Sequence, residues 1–113
     1  MHEMSLCESV LQIVEEEAAK QKFNNVKWLQ LEIGALAGVE VEAMRFCFDV
    51  VARNSVLQGA TLDIVQPGGE AWCMQCAKTI EIKERYQPCP ECGGYQLQVT
   101  GGDEMRIKEL EVE

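Results

Sequence analysis

The chain has 113 residues, 47% of them hydrophobic, which suffices for a core and argues against disorder. Nineteen acidic against ten basic residues leave a formal charge of −9, the wrong sign for a nucleic-acid binder. No apolar run nears the roughly 20 residues of a membrane span, and residues 1–5 show no positively charged leader region, so a reducing, cytoplasmic setting without membrane contact is expected.

Residues 4–22 read as a first helix. Ser5 and Glu8 resemble a capping box, with a slightly earlier start as the alternative, and Cys7, Val10, Leu11, Val14 and Ala18 recur at the spacing of one buried face. Glu8, Gln12, Glu15, Glu16 and Lys20 fall on the solvated flank. Phe23-Asn24-Asn25 is a turn signal, and Val26–Ile33 follows as a strand. In it Leu29, Leu31 and Ile33 alternate against Trp28, Gln30 and Glu32, which gives one apolar face.

Gly34 and Gly38 bracket a break that leads into a second helix over 40–53. Met44, Cys47, Phe48 and Val51 form its inner stripe, and Phe46 and Val50 are expected to widen it. A second strand over 60–66 carries Leu62 and Ile64 on one face, and Pro67-Gly68-Gly69 marks a boundary. The last strand, 104–112, has Met105 and Ile107 on one parity but Leu110 and Val112 on the other. A bulge or kink near Lys108-Glu109 is therefore expected, or else the strand leaves its layer and packs elsewhere at its end.

Between these strands lies the strongest chemical signal. Cys73 and Cys76 form one Cys-x-x-Cys pair, and after twelve residues Cys89 and Cys92 form another. Each pair grips one edge of a metal from a tight turn, and the spacer sets the second pair opposite the first. Disulfides do not suit a reducing compartment, and a thioredoxin-like motif explains one pair, not two. A rubredoxin-like iron site usually places Gly after both pairs, whereas Ala77 follows Cys76. Structural Zn(II) on four thiolates is the favoured reading. Cys7 and Cys47, on apolar stripes, read as small buried hydrophobes.

The order helix, strand, helix, strand, metal insert, strand implies an α+β fold. Two helices cover a small three-stranded mixed sheet, and a four-cysteine zinc-ribbon subdomain is inserted. The expected division is a 1–69 plus 101–113 domain and a 70–100 metal-binding domain. The metal would supply what about 30 residues cannot gain by burial alone.

His2 is the one histidine in the chain. The Met1 α-amine and the His2 amide nitrogen can close a five-membered chelate ring, and that amide with imidazole Nδ1 a six-membered one. Such nitrogen-rich, near-planar coordination suits Ni(II) or Cu(II) rather than zinc, with Glu3 as the nearest carboxylate. The imidazole and amine must shed protons first, so binding should weaken below about pH 6.

Four features stand out together: Met1-His2-Glu3 with Ser5-Leu6, the Ile33-Gly34-Ala35-Leu36 stretch, the paired Cys-x-x-Cys insert, and Gly102-Asp103-Glu104-Met105-Arg106. In this order they resemble the HypA/HybF family of hydrogenase nickel-incorporation proteins. The resemblance implies a metallochaperone, not an enzyme. It would work with a hydrogenase-maturation GTPase to deliver nickel to the precursor of the NiFe-hydrogenase large subunit. It also implies structural zinc on Cys73, Cys76, Cys89 and Cys92, and nickel at Met1, His2 and Glu3 with Glu40 nearby. Some relatives carry histidines beside the knuckles; here Ala77, Lys78, Gly93 and Gly94 stand there, so pH-driven ligand exchange is not expected. An alternative is a zinc-shaped adaptor that carries no nickel and docks through Met74, Gln75, Tyr86 and Tyr95. The sequence leaves a homodimer open.

Overall fold

A computed structural model describes residues 2–113. Eight elements follow in chain order: α1 (His2–Gln21), β1 (Val26–Ile33), α2 (Val41–Ala52), β2 (Thr61–Val65), β3 (Gly69–Cys73), β4 (Lys78–Ile82), β5 (Leu97–Gly101) and β6 (Met105–Val112). They make two three-stranded sheets, ordered β2-β1-β6 and β4-β3-β5. The fold is α+β: two helices with one small sheet, and a four-cysteine subdomain built on the other. Among the described residues, no helix is long and apolar enough to cross a membrane.

The chain divides into two compact units. The first takes the chain up to Leu31, then Val39–Ile64 and Ile107–Glu113. Cys7, Val10 and Val14 of α1 are buried, as are Met44, Cys47, Phe48 and Ala52 of α2. Leu29 and Leu31 of β1 are fully enclosed, so the alternation of that strand sorts its faces as expected. The widened stripe on α2 does not form. Phe46 is 70% exposed and Val50 37%, because Met44, Cys47 and Phe48 already fill the inward arc.

Helix α1 begins at His2, so Ser5 lies inside the helix and does not cap it. The first turn is instead held from outside: the Glu3 carboxylate accepts a hydrogen bond from the Glu40 backbone N–H. A carboxylate here also complements the positive end of the helix dipole. At the other end Lys22 adopts a left-handed φ of 61°, and the Phe23 N–H closes back on the Ala18 carbonyl at 3.2 Å, a Schellman-type stop.

The second unit comprises Glu32–Gly38 and Val65–Arg106. Strand β3 pairs antiparallel with both β4 and β5, and the β3–β5 register shifts between Glu70 and Ala71. Its core is small: Leu36, Ala71, Cys73, Ile80, Ile82 and Cys89 are buried together, with Cys76, Leu97 and Val99 packed against them. Leu36 comes from the glycine-bracketed turn after β1. That turn is stitched in by backbone bonds from Gly34 to Glu104 (2.9 Å), Ala35 to Pro67 (2.9 Å) and Leu36 to Gly102 (2.8 Å). The approach is so close that a side chain at position 34 would collide with the Gly102 carbonyl.

The last strand runs unbroken from Met105 to Val112, and its burial follows both parities in turn. Met105 and Ile107 are half-buried, Lys108 and Glu109 are both exposed, and burial resumes at Leu110. Val112 stays exposed, so only three of the four apolar residues are covered.

Candidate metal centres

The first knuckle is also a hairpin turn. Strand β3 ends on Cys73, residues 74–77 turn the chain, and β4 begins at Lys78. The Cys76 N–H points at the Cys73 sulfur (3.4 Å), and the Ala77 N–H donates to the Cys73 carbonyl (2.8 Å). The second knuckle repeats this in the loop before β5. The Glu91 N–H points at the Cys89 sulfur (3.4 Å), and the Gly93 N–H donates to the Cys89 carbonyl (2.8 Å). Ala77 and Gly93 hold equivalent left-handed positions, φ 54° and 74°. Glycine accepts that conformation freely, whereas alanine is strained in it.

The two knuckles bring all four sulfurs within 4.8 Å of one another. Cys73 and Cys92 sulfurs are 3.6 Å apart, and those of Cys76 and Cys89 3.9 Å. A tetrahedral ion with bonds of about 2.3 Å to sulfur requires edges of about 3.8 Å, so the donor set fits such an ion closely. Cys73 and Cys89 are buried, Cys76 is half-buried and Cys92 is exposed.

The four thiols share a crowded proton inventory. Cys89 is pulled down to about 7, chiefly by the Cys92 backbone N–H, while Cys76 is pushed up to about 12 by hydrogen bonding first with Cys73 and then with Cys92. Four negative sulfurs at this separation repel strongly unless a cation sits among them. Gln75 reaches the exposed Cys92 sulfur at 3.3 Å, and a solvent-exposed ion pair, Lys78 to Glu91 at 2.6 Å, links the knuckles outside the cluster.

The N-terminal candidates lie in the first unit. Met1 falls outside the described residues. His2 is exposed on the first turn of α1, and its Nε2 is 3.4 Å from Glu3 Oε2. Glu3 is the one buried charged residue among those described, only 8% exposed. The same Oε2 accepts the Glu40 N–H at 3.2 Å, which holds the carboxyl below its ordinary range. Glu40 reaches this group through its backbone. Its own carboxylate caps α2 by accepting the Glu42 N–H at 3.0 Å. The structure thus brings His2, Glu3 and the Glu40 main chain together, although Glu3 and Glu40 are 37 positions apart. That contact has no sequence signal, because a backbone N–H looks the same at every residue.

Met74, Tyr86 and Tyr95 are exposed at 63%, 95% and 72%. Trp72, which sequence reasoning passed over, also faces outward, because it alternates with the inward Ala71 and Cys73 on β3.

Comparison with known proteins agrees over the whole length. Residues 1–112 match the family described as HypA, hydrogenase/urease nickel incorporation, metallochaperone. Hydrogenase maturation factor HypA 2 of Bradyrhizobium diazoefficiens is 61% identical over 113 residues, and hydrogenase maturation factor HypA of Albidiferax ferrireducens is 62% identical over 113, each covering 100% of both chains. The solution structure of the Ni metallochaperone HypA from Helicobacter pylori superposes with a TM-score of 0.71 at 28% identity, covering 99% of this chain and 97% of that one. The chain belongs to the HypA family of nickel-incorporation metallochaperones, which act in hydrogenase maturation and are not enzymes.

Proposed function

We propose that this protein carries Ni(II) at its N-terminus and delivers it to the precursor of the NiFe-hydrogenase large subunit, acting with a maturation GTPase in the cytoplasm. The observation that carries the reading is His2, exposed on the first turn of α1. The first four N–H groups of a helix have no carbonyl partner four residues back. The His2 amide nitrogen thus has no carbonyl partner within the helix, and a metal can replace its proton without breaking a helical hydrogen bond. Together with the Met1 amine and imidazole Nδ1 it offers three nitrogens, a set suited to Ni(II). An exposed chelate also releases its cargo more readily than a buried cage.

The four cysteines are proposed to hold structural Zn(II). Their sulfur–sulfur edges fit it, and four thiolates close its coordination shell. The ion supplies folding free energy to the second unit, whose core cluster contains only six buried residues, two of them proposed ligands. No step of nickel transfer is assigned to it.

Isothermal titration of protein carrying no N-terminal tag tests the nickel site. His2→Ala should abolish high-affinity nickel binding while zinc content is unchanged; undiminished nickel affinity would remove the site. A second reading, an adaptor carrying no nickel, is favoured by the exposed Trp72, Met74, Tyr86 and Tyr95. Capture of the GTPase and the precursor by His2→Ala and by Tyr86→Ala/Tyr95→Ala proteins separates the two.

A further inference from the structure

Glu3 was expected to support nickel as the nearest carboxylate, yet its geometry suits another task. Its side chain is nearly enclosed, 10% exposed, while that of His2 is 58% exposed. One oxygen, Oε2, meets both the Glu40 N–H at 3.2 Å and His2 Nε2 at 3.4 Å. We propose that Glu3 is a positioning residue, which orients the His2 imidazole through Nε2 and anchors it to the start of α2, rather than a nickel ligand.

This role for Glu3 rests on the nickel reading above and turns on which ring nitrogen of His2 faces the metal. A neutral imidazole carries one proton, on Nδ1 or on Nε2. A carboxylate beside Nε2 favours the proton there and leaves the Nδ1 lone pair bare. Nδ1 is the nitrogen that can close a six-membered ring with the residue's own amide nitrogen; Nε2 is too far around the ring. Metal-bound histidines commonly donate their second N–H to a carboxylate, which fixes both the tautomer and the ring orientation.

The Glu40 contact gives this arrangement stiffness. A carboxylate on the first turn of a helix would ordinarily sweep through several rotamers. Here the N–H of the residue capping α2 holds it, so the imidazole is steered by a group fixed to a second helix. The Glu40 carboxylate caps its own helix by accepting the Glu42 N–H, and the contact to Glu3 is made by the Glu40 main chain.

Glu3→Gln and Glu3→Ala discriminate the roles, again in untagged full-length protein. The glutamine carbonyl can accept both the Glu40 N–H and a proton on His2 Nε2, but an amide is a poor nickel ligand. Glu3→Gln should bind nickel within about fivefold of wild type with an unchanged ligand-field spectrum. Glu3→Ala should lose about 10- to 100-fold, the usual cost of removing a partner behind a metal ligand. Imidazole 15N shifts of the nickel-free protein should show the Nε2–H tautomer in wild type and Glu3→Gln, and a mixture in Glu3→Ala. The proposal is overturned if Glu3→Gln loses as much affinity as Glu3→Ala or shifts the ligand-field bands, since the carboxylate is then a ligand. It is equally overturned if Glu3→Ala binds as wild type does. His2→Ala run in parallel keeps the readings apart, since retained affinity there refutes the nickel site itself.

Discussion

Leu36 is the side chain through which the turn after β1 belongs to the four-cysteine unit. It is 4% exposed and packs with Ala71, Ile80, Ile82 and the two buried candidate ligands Cys73 and Cys89. Its main chain is held separately, by the bond to the Gly102 carbonyl at 2.8 Å and by Arg85, whose Nε donates to the Leu36 carbonyl at 3.2 Å. Leu36→Ala thus removes side-chain packing and leaves those bonds available. Truncating a buried leucine costs about 2–5 kcal/mol, and a core this small cannot recover much by collapsing. Where a lobe folds only around its ion, folding free energy is binding free energy, and the apparent affinity falls by the fraction left folded. A loss of about 2–5 kcal/mol then weakens zinc binding about 30- to 4,000-fold. Competition against a chromophoric chelator reads this directly. Met74→Ala, at a side chain 63% exposed, is the control and should stay within about threefold. Wild-type zinc affinity in Leu36→Ala would show that the turn is no part of the fold the ion closes.

Three further outcomes follow from the same structure. Phe48→Ala should cost about 3–5 kcal/mol in chemical denaturation and Phe46→Ala less than about 0.5, since the first is 4% exposed and the second 70%. Ala77→Gly should stabilise the zinc-bound lobe by about 0.5–1 kcal/mol, because glycine relieves a left-handed φ of 54° at a modest entropic cost; thermal melting checks the sign. Burial, helped by Cys47, pushes the Cys7 thiol from 9.0 up to about 11. Its raised value favours the native state below about pH 9, and that advantage is lost as pH rises through 11. Unfolding midpoints of wild type should therefore fall more steeply than those of Cys7→Ala over that interval.

The elements that sequence patterning located best are those with long, one-sided periodicity. The boundaries expected for β1 match the observed strand, and α2 runs one residue inside its expected limits at each end, because Leu29, Leu31, Met44 and Cys47 follow the periods of strand and helix. Helix α1 starts at His2, earlier than the Ser5 capping box by itself suggests, because such a box is a local signal and a helix can run on through it. The same locality hid β3. Five residues that open on Gly69 and close on the metal-binding candidate Cys73 leave only Glu70, Ala71 and Trp72 to show alternation. Phe46 and Val50 misled because apolar character alone does not say how wide an arc a small sheet can cover.

The candidate sites divide in the same way. Four cysteines at knuckle spacing were legible because chelation constrains sequence separation directly, and the structure gathers their sulfurs to 3.6–3.9 Å along two edges. His2 was singled out by chemistry, as an imidazole beside a terminal amine, and the structure places its ring 3.4 Å from the Glu3 carboxylate. The grip of Glu3 on the Glu40 main chain was not, since one partner is a peptide N–H and the contact spans 37 positions.

Nickel X-ray absorption on untagged protein whose four cysteines already hold zinc tests the central claim most directly. The account predicts a first shell of nitrogen and oxygen neighbours alone, with the multiple-scattering pattern of one imidazole. A sulfur neighbour in that shell would place the nickel on cysteine and contradict carriage at the N-terminus.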